Sequence, residues 1–167
     1  MFYRQESPYG EFSNFYYAPI VLDGHTWPTT EHYFQAQKFA HATDRDYVEL
    51  IRMTSTPGSA AKLGRQHSWP LRPDWEEVKD DIMRKCVLQK FLQHSTLTKL
   101  LLDTGNRYLV EHTRNDRYWA DGGDGTGKNM LGKILMEIRE KIPQMSPEEM
   151  AVLMEKEDTA VEVADLE

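Results

Sequence analysis

The stretch "IVLDGHTWPTTEHYFQAQKFA", Ile20 to Ala40, holds a β signal and a helix signal back to back. "IVL" and "HTW" flank Asp23-Gly24, a two-residue pair suited to a hairpin turn whose central residues need positive φ. Pro28 has no N–H to give to a ladder, so the hairpin stops there. Thr29 or Thr30 then caps a helix over "TTEHYFQAQKFA". Residues seven apart on a helix lie only about 20° out of line. Glu31 and Lys38 therefore point the same way, with Gln35 between them, while Tyr33, Ala36, Phe39 and Ala40 point toward a core. One helix face thus offers a carboxylate, an amide and an amine. Two readings stay open on periodicity alone: a solvated face, with Glu31 favoured by the helix N-terminus, or a face that does chemistry.

Working outward, residues 2–5 read as a short strand and "PYGEFSNFYYAP" as an aromatic-rich loop. Residues 44–53 predict a second helix with Tyr47, Leu50 and Ile51 inside. Thr56-Pro57 opens a third, short helix that runs to about Gly64. "HSWPLRP" is turn-rich. Asp74, with Glu77 three residues on, predicts a capping box for the longest helix. Trp75, Val78, Ile82 and Cys86 form its inner stripe. Ser95 caps a further helix that buries Leu97, Leu100 and Leu101. "YLVEHT" alternates as a strand does. Leu131, Ile134, Leu135, Ile138 and Ile142 keep the spacing of an amphipathic helix. The expected architecture is α+β: a compact, mostly helical single domain with a small β element.

The chain has 167 residues, 40% hydrophobic and 28% charged, which suits one soluble domain with a real core. No apolar run approaches the ~18 residues of a membrane span, and "MFYRQESPYG" has no signal-peptide pattern. Cys86 is the only cysteine, which excludes an internal disulfide and agrees with a cytoplasmic location. The net charge of −7 is all carried from Ser146 onward, so residues 1–145 are neutral. A neutral body and an acidic tail weigh against nucleic acid as a partner. We therefore expect a domain over 1–145 and an acidic helix and tail over 146–167. Ser146, Pro147 and Glu149 start that helix as a capping box, with fraying or disorder beyond about Lys156.

"DGGDGTGKN", Asp121 to Asn129, nearly fits a phosphate-binding P-loop: Gly122, four residues, Gly127, Lys128. Asn129 stands where the Mg²⁺-binding Ser or Thr belongs, and the preceding "RNDRYWA" is no buried strand. Both counts argue against a P-loop. What remains is either a connector or a loop that brings bare backbone to a ligand. Tyr118 and Trp119 can stack on a flat ring, and Asp121 can act as an acid, grip a ribose hydroxyl, or merely make an Asp-Gly turn. The six histidines show no metal-ligand spacing. His32 reads as packed or hydrogen-bonded, and Cys86 as a small core residue. Ser13 lacks the flanks of a nucleophile elbow.

Taken together, "FSNFY", "TWPTTEHYFQAQKF", "AAKLGR", "DWEEVKDDIMRKCVLQKF" and "LVEHTRNDRYWADGGDGTGKNMLGKILMEIRE" resemble the NADAR superfamily, in its YbiA-like branch. The likeness runs from about Phe2 to Lys141. It implies a mostly helical α+β fold and an N-glycosidase that cuts the bond between ribose C1 and a nitrogen. The implied substrates are the phosphoribosylamino-pyrimidines that begin riboflavin synthesis or, in other branches, guanine bases that carry ADP-ribose, in nucleic acid or as nucleotide. A binding module for NAD or ADP-ribose without chemistry is the reading from another class. The resemblance puts Glu31 and Lys38 in the helix motif and Trp119, Asp121, Gly122 and Asn129 in the glycine loop. Ser13, Asn14, Phe15, Gly64 and Arg65 fall in the other matched blocks.

On that reading Glu31, Lys38 and Asp121 are catalytic. Lys38 attacks C1, Glu31 handles protons, and Asp121 positions ribose hydroxyls or assists as acid. Arg65 grips a phosphate, Phe15 and Trp119 sandwich the pyrimidine, and the loop N–H groups bind ligand oxygens. Asn129 caps the last helix and donates to the ligand. No metal or cofactor enters this scheme.

Overall fold

The computed structural model describes residues 1–2, 6–42 and 46–154. The described chain divides into two units, one of residues 17–90 and one of residues 1–16 with 91–154. The class is α+β and mostly helical.

In the first of these units, β1 (Ile20–Leu22) and β2 (His25–Trp27) pair antiparallel, Leu22 opposite His25. Asp23 and Gly24 turn the chain with φ of 51° and 76°, as the two-residue loop demands. The Asp23 carboxylate accepts from the Tyr33 hydroxyl at 2.6 Å and pairs with Lys85, which pins the turn to two helices. Ile20, Leu22 and Trp27 are fully buried. α1 (Thr30–Gln37) follows, with Thr29 as its cap, and packs against α2 (Asp46–Arg52) and α3 (Pro57–Leu63). Thr56 caps α3, Pro57 occupies its first turn and Gly64 ends it, as the sequence predicts.

α4 (Trp75–Gln93) is the longest helix, but its start differs from expectation. The Asp74 carboxylate is taken bidentately by Arg72, at 2.7 and 2.9 Å, and the Glu77 N–H bonds to the Asp74 carbonyl. A guanidinium two residues away outcompetes the capping box. The inner stripe also shifts along the helix. Trp75 and Cys86 are buried and Val78 and Ile82 only half so, while Met83 and Val87 fill the core. In α2, Ile51 is buried but Leu50 is 53% exposed, so only one of the two can face inward.

In the other unit, Phe12, in a 3-10 turn over Gly10–Phe12, meets Phe2, Tyr9 and Phe91. α5 (Ser95–Leu102) packs on α6 (Met130–Lys141). Ser95 is the first residue of α5 rather than its cap. His94 holds the cap position without a side-chain bond, and Leu100 is half-buried beside buried Leu97 and Leu101. α6 buries Leu131, Ile134, Leu135 and Ile138, with Ile142 just beyond it, as periodicity predicts. Ser146 and Glu149 exchange the two bonds of a capping box at 2.8 and 3.1 Å, and 147–154 is helical.

"YLVEHT" is not a strand. Among the described residues its ladder contact with the N-terminus is one parallel bridge between Phe2 and Glu111. The rest of the strand expected over 2–5, the start of the helix expected at 44, and the tail beyond Lys156 lie outside the described residues.

Candidate active site

The polar face of α1 is not a wet surface. Glu31 and Gln35 are only 8% and 7% exposed. A carboxylate in that position needs donors, and Gln35 supplies one: its Nε2 donates to Glu31 Oε1 at 2.7 Å. The helix N-terminus is held by a reciprocal pair, in which Thr29 Oγ1 accepts from the His32 N–H and donates to His32 Nδ1. His32 Nε2 faces the Thr54 carbonyl at 3.2 Å and so carries the proton. Burial lowers the pKa of His32, against a smaller opposing pull from the Thr54 carbonyl. His32 is thus a neutral structural histidine.

Lys38 closes α1. Its Nζ donates to the Gly64 carbonyl at 3.0 Å and lies 5.6 Å above the Trp75 ring. Burial pushes the Lys38 amine below the ordinary lysine range, the charge of Glu31 works against that, Arg65 adds to the lowering and Glu76 opposes it. The amine stands on the wall of a pocket of about 410 Å³, with Arg65, His67, Trp69 and Trp75 around it. Trp69 is wedged against Phe39 and Tyr47, at 5.2 and 4.6 Å between ring centroids. The Arg72 N–H bonds to the Lys38 carbonyl and ties the "HSWPLRP" loop to the helix end. The arrangement is a partly desolvated amine, a buried carboxylate on the same helix, and a cationic and aromatic pocket wall.

The glycine loop belongs to the other unit. Asp121 is 6% exposed, and its Oδ2 is 2.7 Å from His112 Nδ1 while Oδ1 accepts from the Gly123 N–H. Burial acts to raise this carboxyl, but the bonds from His112 and Gly123 outweigh it and leave it below the usual carboxylate range. The N–H groups of Gly122, Gly123, Thr126, Gly127, Lys128 and Asn129 all bond within the loop or to residues 116–121. Three glycines are there for space. A Cβ would meet Arg114 Cγ at 2.3 Å from Gly123, the Ala120 carbonyl oxygen at 2.4 Å from Gly127, and the Leu109 carbonyl oxygen at 2.2 Å from Gly132.

A family model described as the NADAR domain matches residues 1–143. The chain belongs to the NADAR family. N-glycosidase YbiA of Escherichia coli (strain K12) is 56% identical to it over 141 residues, which cover 84% of this chain and 86% of that protein. N-glycosidase Npun_R5314 of Nostoc punctiforme is 46% identical over 141 residues, or 84% of this chain and 90% of its own. Riboflavin biosynthesis protein VVA0006 of Vibrio vulnificus is 40% identical over 146 residues; the match takes in 87% of this chain and 39% of that longer protein. The NMR structure of E. coli YbiA shares the fold, with a TM-score of 0.78 at 54% identity, covering 86% of this chain and 84% of that one.

Against this NADAR frame the expected site residues fall into two groups. Glu31, Lys38, Gly64 and Arg65 come together in one unit, with Lys38, Gly64 and Arg65 on the pocket wall. Ser13, Asn14, Phe15, Trp119, Asp121, Gly122 and Asn129 belong to the other. There Ser13 and Asn14 are buried, Ser13 Oγ accepts from the Phe15 N–H, and Phe15 is 37% exposed. Trp119 is half-buried and meets Tyr118 edge-on. Asn129 holds the α6 cap position, but its side chain makes no cap bond. Its amide instead accepts from the Glu111 N–H and donates to the Leu109 carbonyl. The loop N–H groups just named likewise bond inside the protein. His112 escaped the sequence reading, because no fixed spacing links a histidine in an extended segment to a carboxylate nine residues on. Among the described residues no cluster of His, Cys, Asp or Glu is built to hold a metal ion, and no helix is long and apolar enough to cross a membrane.

Proposed function

We propose that this NADAR-family N-glycosidase hydrolyses the ribosyl C–N bond of phosphoribosylamino-pyrimidines, the reactive intermediates of riboflavin synthesis, in the cytoplasm. The observation that carries the reaction is the Lys38 amine: lowered in pKa, held at 3.0 Å by the Gly64 carbonyl, and exposed to a pocket large enough for a ribose phosphate. The riboflavin link is supported by the Vibrio relative named for that biosynthesis.

The ring of the ribosylamine opens, the C1–O4 bond breaking as O4 takes a proton from the amine N–H, to give an imine between C1 and the pyrimidine amine; the neutral Lys38 amine then adds to C1 of that imine. The C1–N bond to the pyrimidine amine breaks as a proton passes to the leaving nitrogen, which leaves an imine between Nζ and C1. Water then adds to the imine and releases the ribose phosphate and the free lysine. Glu31 is the group we assign to move those protons and to answer the positive charge that builds at C1. Arg65, at the pocket wall, offers a planar fork for the phosphate.

Lys38→Arg keeps a cation of similar reach but no nucleophile. It should fold with an unchanged melting temperature and lose at least about 10³-fold in kcat, since the covalent route is gone. Borohydride added during turnover should fix a ribose phosphate adduct on Lys38 of the unsubstituted protein, read by peptide mass. Retained turnover in Lys38→Arg removes the nucleophile. Release of base from ADP-ribosyl-guanosine but not from the phosphoribosylamino-pyrimidines moves the substrate to that other class.

A further inference from the structure

We infer that Gln35 is a positioning residue for catalysis, that it acts through Glu31, and that Gly64 is glycine in order to let Gln35 do so; this rests on the reading of Glu31 and Lys38 just given. A carboxylate only accepts, so the Gln35 amide must turn its nitrogen to Glu31 and its oxygen away. That oxygen is fully buried without a hydrogen-bond partner, in a side chain only 7% exposed. Leaving a buried carbonyl oxygen unpaired costs stability. The arrangement persists because turning the amide would set oxygen against carboxylate and lose the 2.7 Å bond.

Gly64 is the other half. Its φ of −63° is open to any residue, so conformation does not call for glycine. Space does: a Cβ there would lie 1.9 Å from Gln35 Oε1, 2.7 Å from Cδ and 2.9 Å from Cβ. Since Cβ itself is too near, a swing of the amide end cannot relieve the clash, and Gln35 as a whole has to leave. The same residue gives its carbonyl to Lys38 Nζ. One glycine thus supports the amine through its oxygen and the carboxylate, by way of Gln35, through its bare Cα. Gly64 and Gln35 then fix where the negative charge of Glu31 sits relative to Lys38.

The test is a mutant cycle with two readouts. Gln35→Leu removes the donor at similar volume and should lower kcat about 10- to 100-fold, the scale of a misplaced catalytic group, with KM within about threefold. In a Glu31→Gln background the same change should cost almost nothing further, because its effect passes through Glu31. The second readout needs no turnover: the NMR titration of the Lys38 13Cε. The charges that act on Lys38 are Glu31 from α1, Arg65 after α3 and Glu76 from α4, with His67 on the pocket wall. Of these only Glu31 bonds to Gln35, and its charge raises Lys38. Gln35→Leu and Gly64→Ala should therefore both shift the Lys38 midpoint to lower pH.

Additive losses in kcat overturn the proposal. So does a Lys38 midpoint that stays put, or one that rises, the sign of an amine merely opened to water. If Gly64→Ala fails to fold, Gln35→Leu decides alone. If the unsubstituted protein releases no base from any substrate offered, the functional reading fails, and the titration still decides whether Gln35 and Gly64 govern Glu31 and Lys38.

Discussion

His112 is half exposed and Asp121 is buried, yet the two are in contact at 2.7 Å. The buried carboxylate is kept in its charged form by the His112 and Gly123 bonds. Its folded pKa lies below the unfolded value of about 3.9. A carboxyl depressed on folding adds stability above its unfolded pKa, and that stability is lost as the pH falls through the folded value. His112→Ala removes the donor and returns Asp121 toward its ordinary range, while burial still disfavours the charge. The variant should therefore unfold at a higher pH than the unsubstituted protein in an acid titration followed by far-UV circular dichroism. An acid midpoint that does not move would mean that the Gly123 N–H holds the carboxylate by itself.

At the scale of elements, the glycine loop separates space from conformation. Gly123 and Gly125 have nearly equal φ, 77° and 81°, but only Gly123 faces a neighbour, with nothing within 4 Å of a Cβ at Gly125. Gly125→Ala should cost about 1 kcal/mol, the left-handed penalty alone, or about 2–4 °C in Tm for a chain of this size. Gly123→Ala adds the clash with Arg114 and should cost about 2–4 kcal/mol. Equal melting losses would show that the loop yields to the clash.

The helices were legible because their ends are written locally: Thr29, Thr56-Pro57, Ser146 with Glu149, and the 3.6-residue stripe of α6. "YLVEHT" was misread because alternation says which way side chains point but not what pairs with the backbone. Here the pairing groups are Phe2, over a hundred residues earlier, and the Asn129 side-chain amide. The candidate site was legible to the same extent. Glu31 and Lys38 share a helix, so their spacing places them on one side. Gly64 against Gln35, or His112 against Asp121, depends on tertiary approach that no spacing records.

Across the whole chain, charge and fold part company at the C-terminus. Residues from Ser146 onward carry the entire net charge of −7, while the NADAR match ends at residue 143. We propose that residues 1–145 hold the activity and that the acidic end is a separate attribute. Truncation after Lys156 should leave turnover unchanged and shift Tm by less than about 4 °C, roughly 1 kcal/mol here. A larger drop would mean that the tail packs on the rest. Lost turnover at unchanged Tm would put the tail at the site.

Cys86 has 0% exposure, its thiol is pushed well up by burial, and Sγ–H points at the Met83 carbonyl at 3.4 Å. Alkylating reagents need a thiolate they can reach. In this chain they must wait for α4 to come away from the core, so the rate of labelling counts the openings of that helix. With one cysteine in 167 residues, each molecule takes up a single label, and its mass divides a population into chains that have opened and chains that have not. Substrate that binds the folded form alone would slow that count, which turns a core residue with no part in the chemistry into a binding assay for compounds that are never turned over.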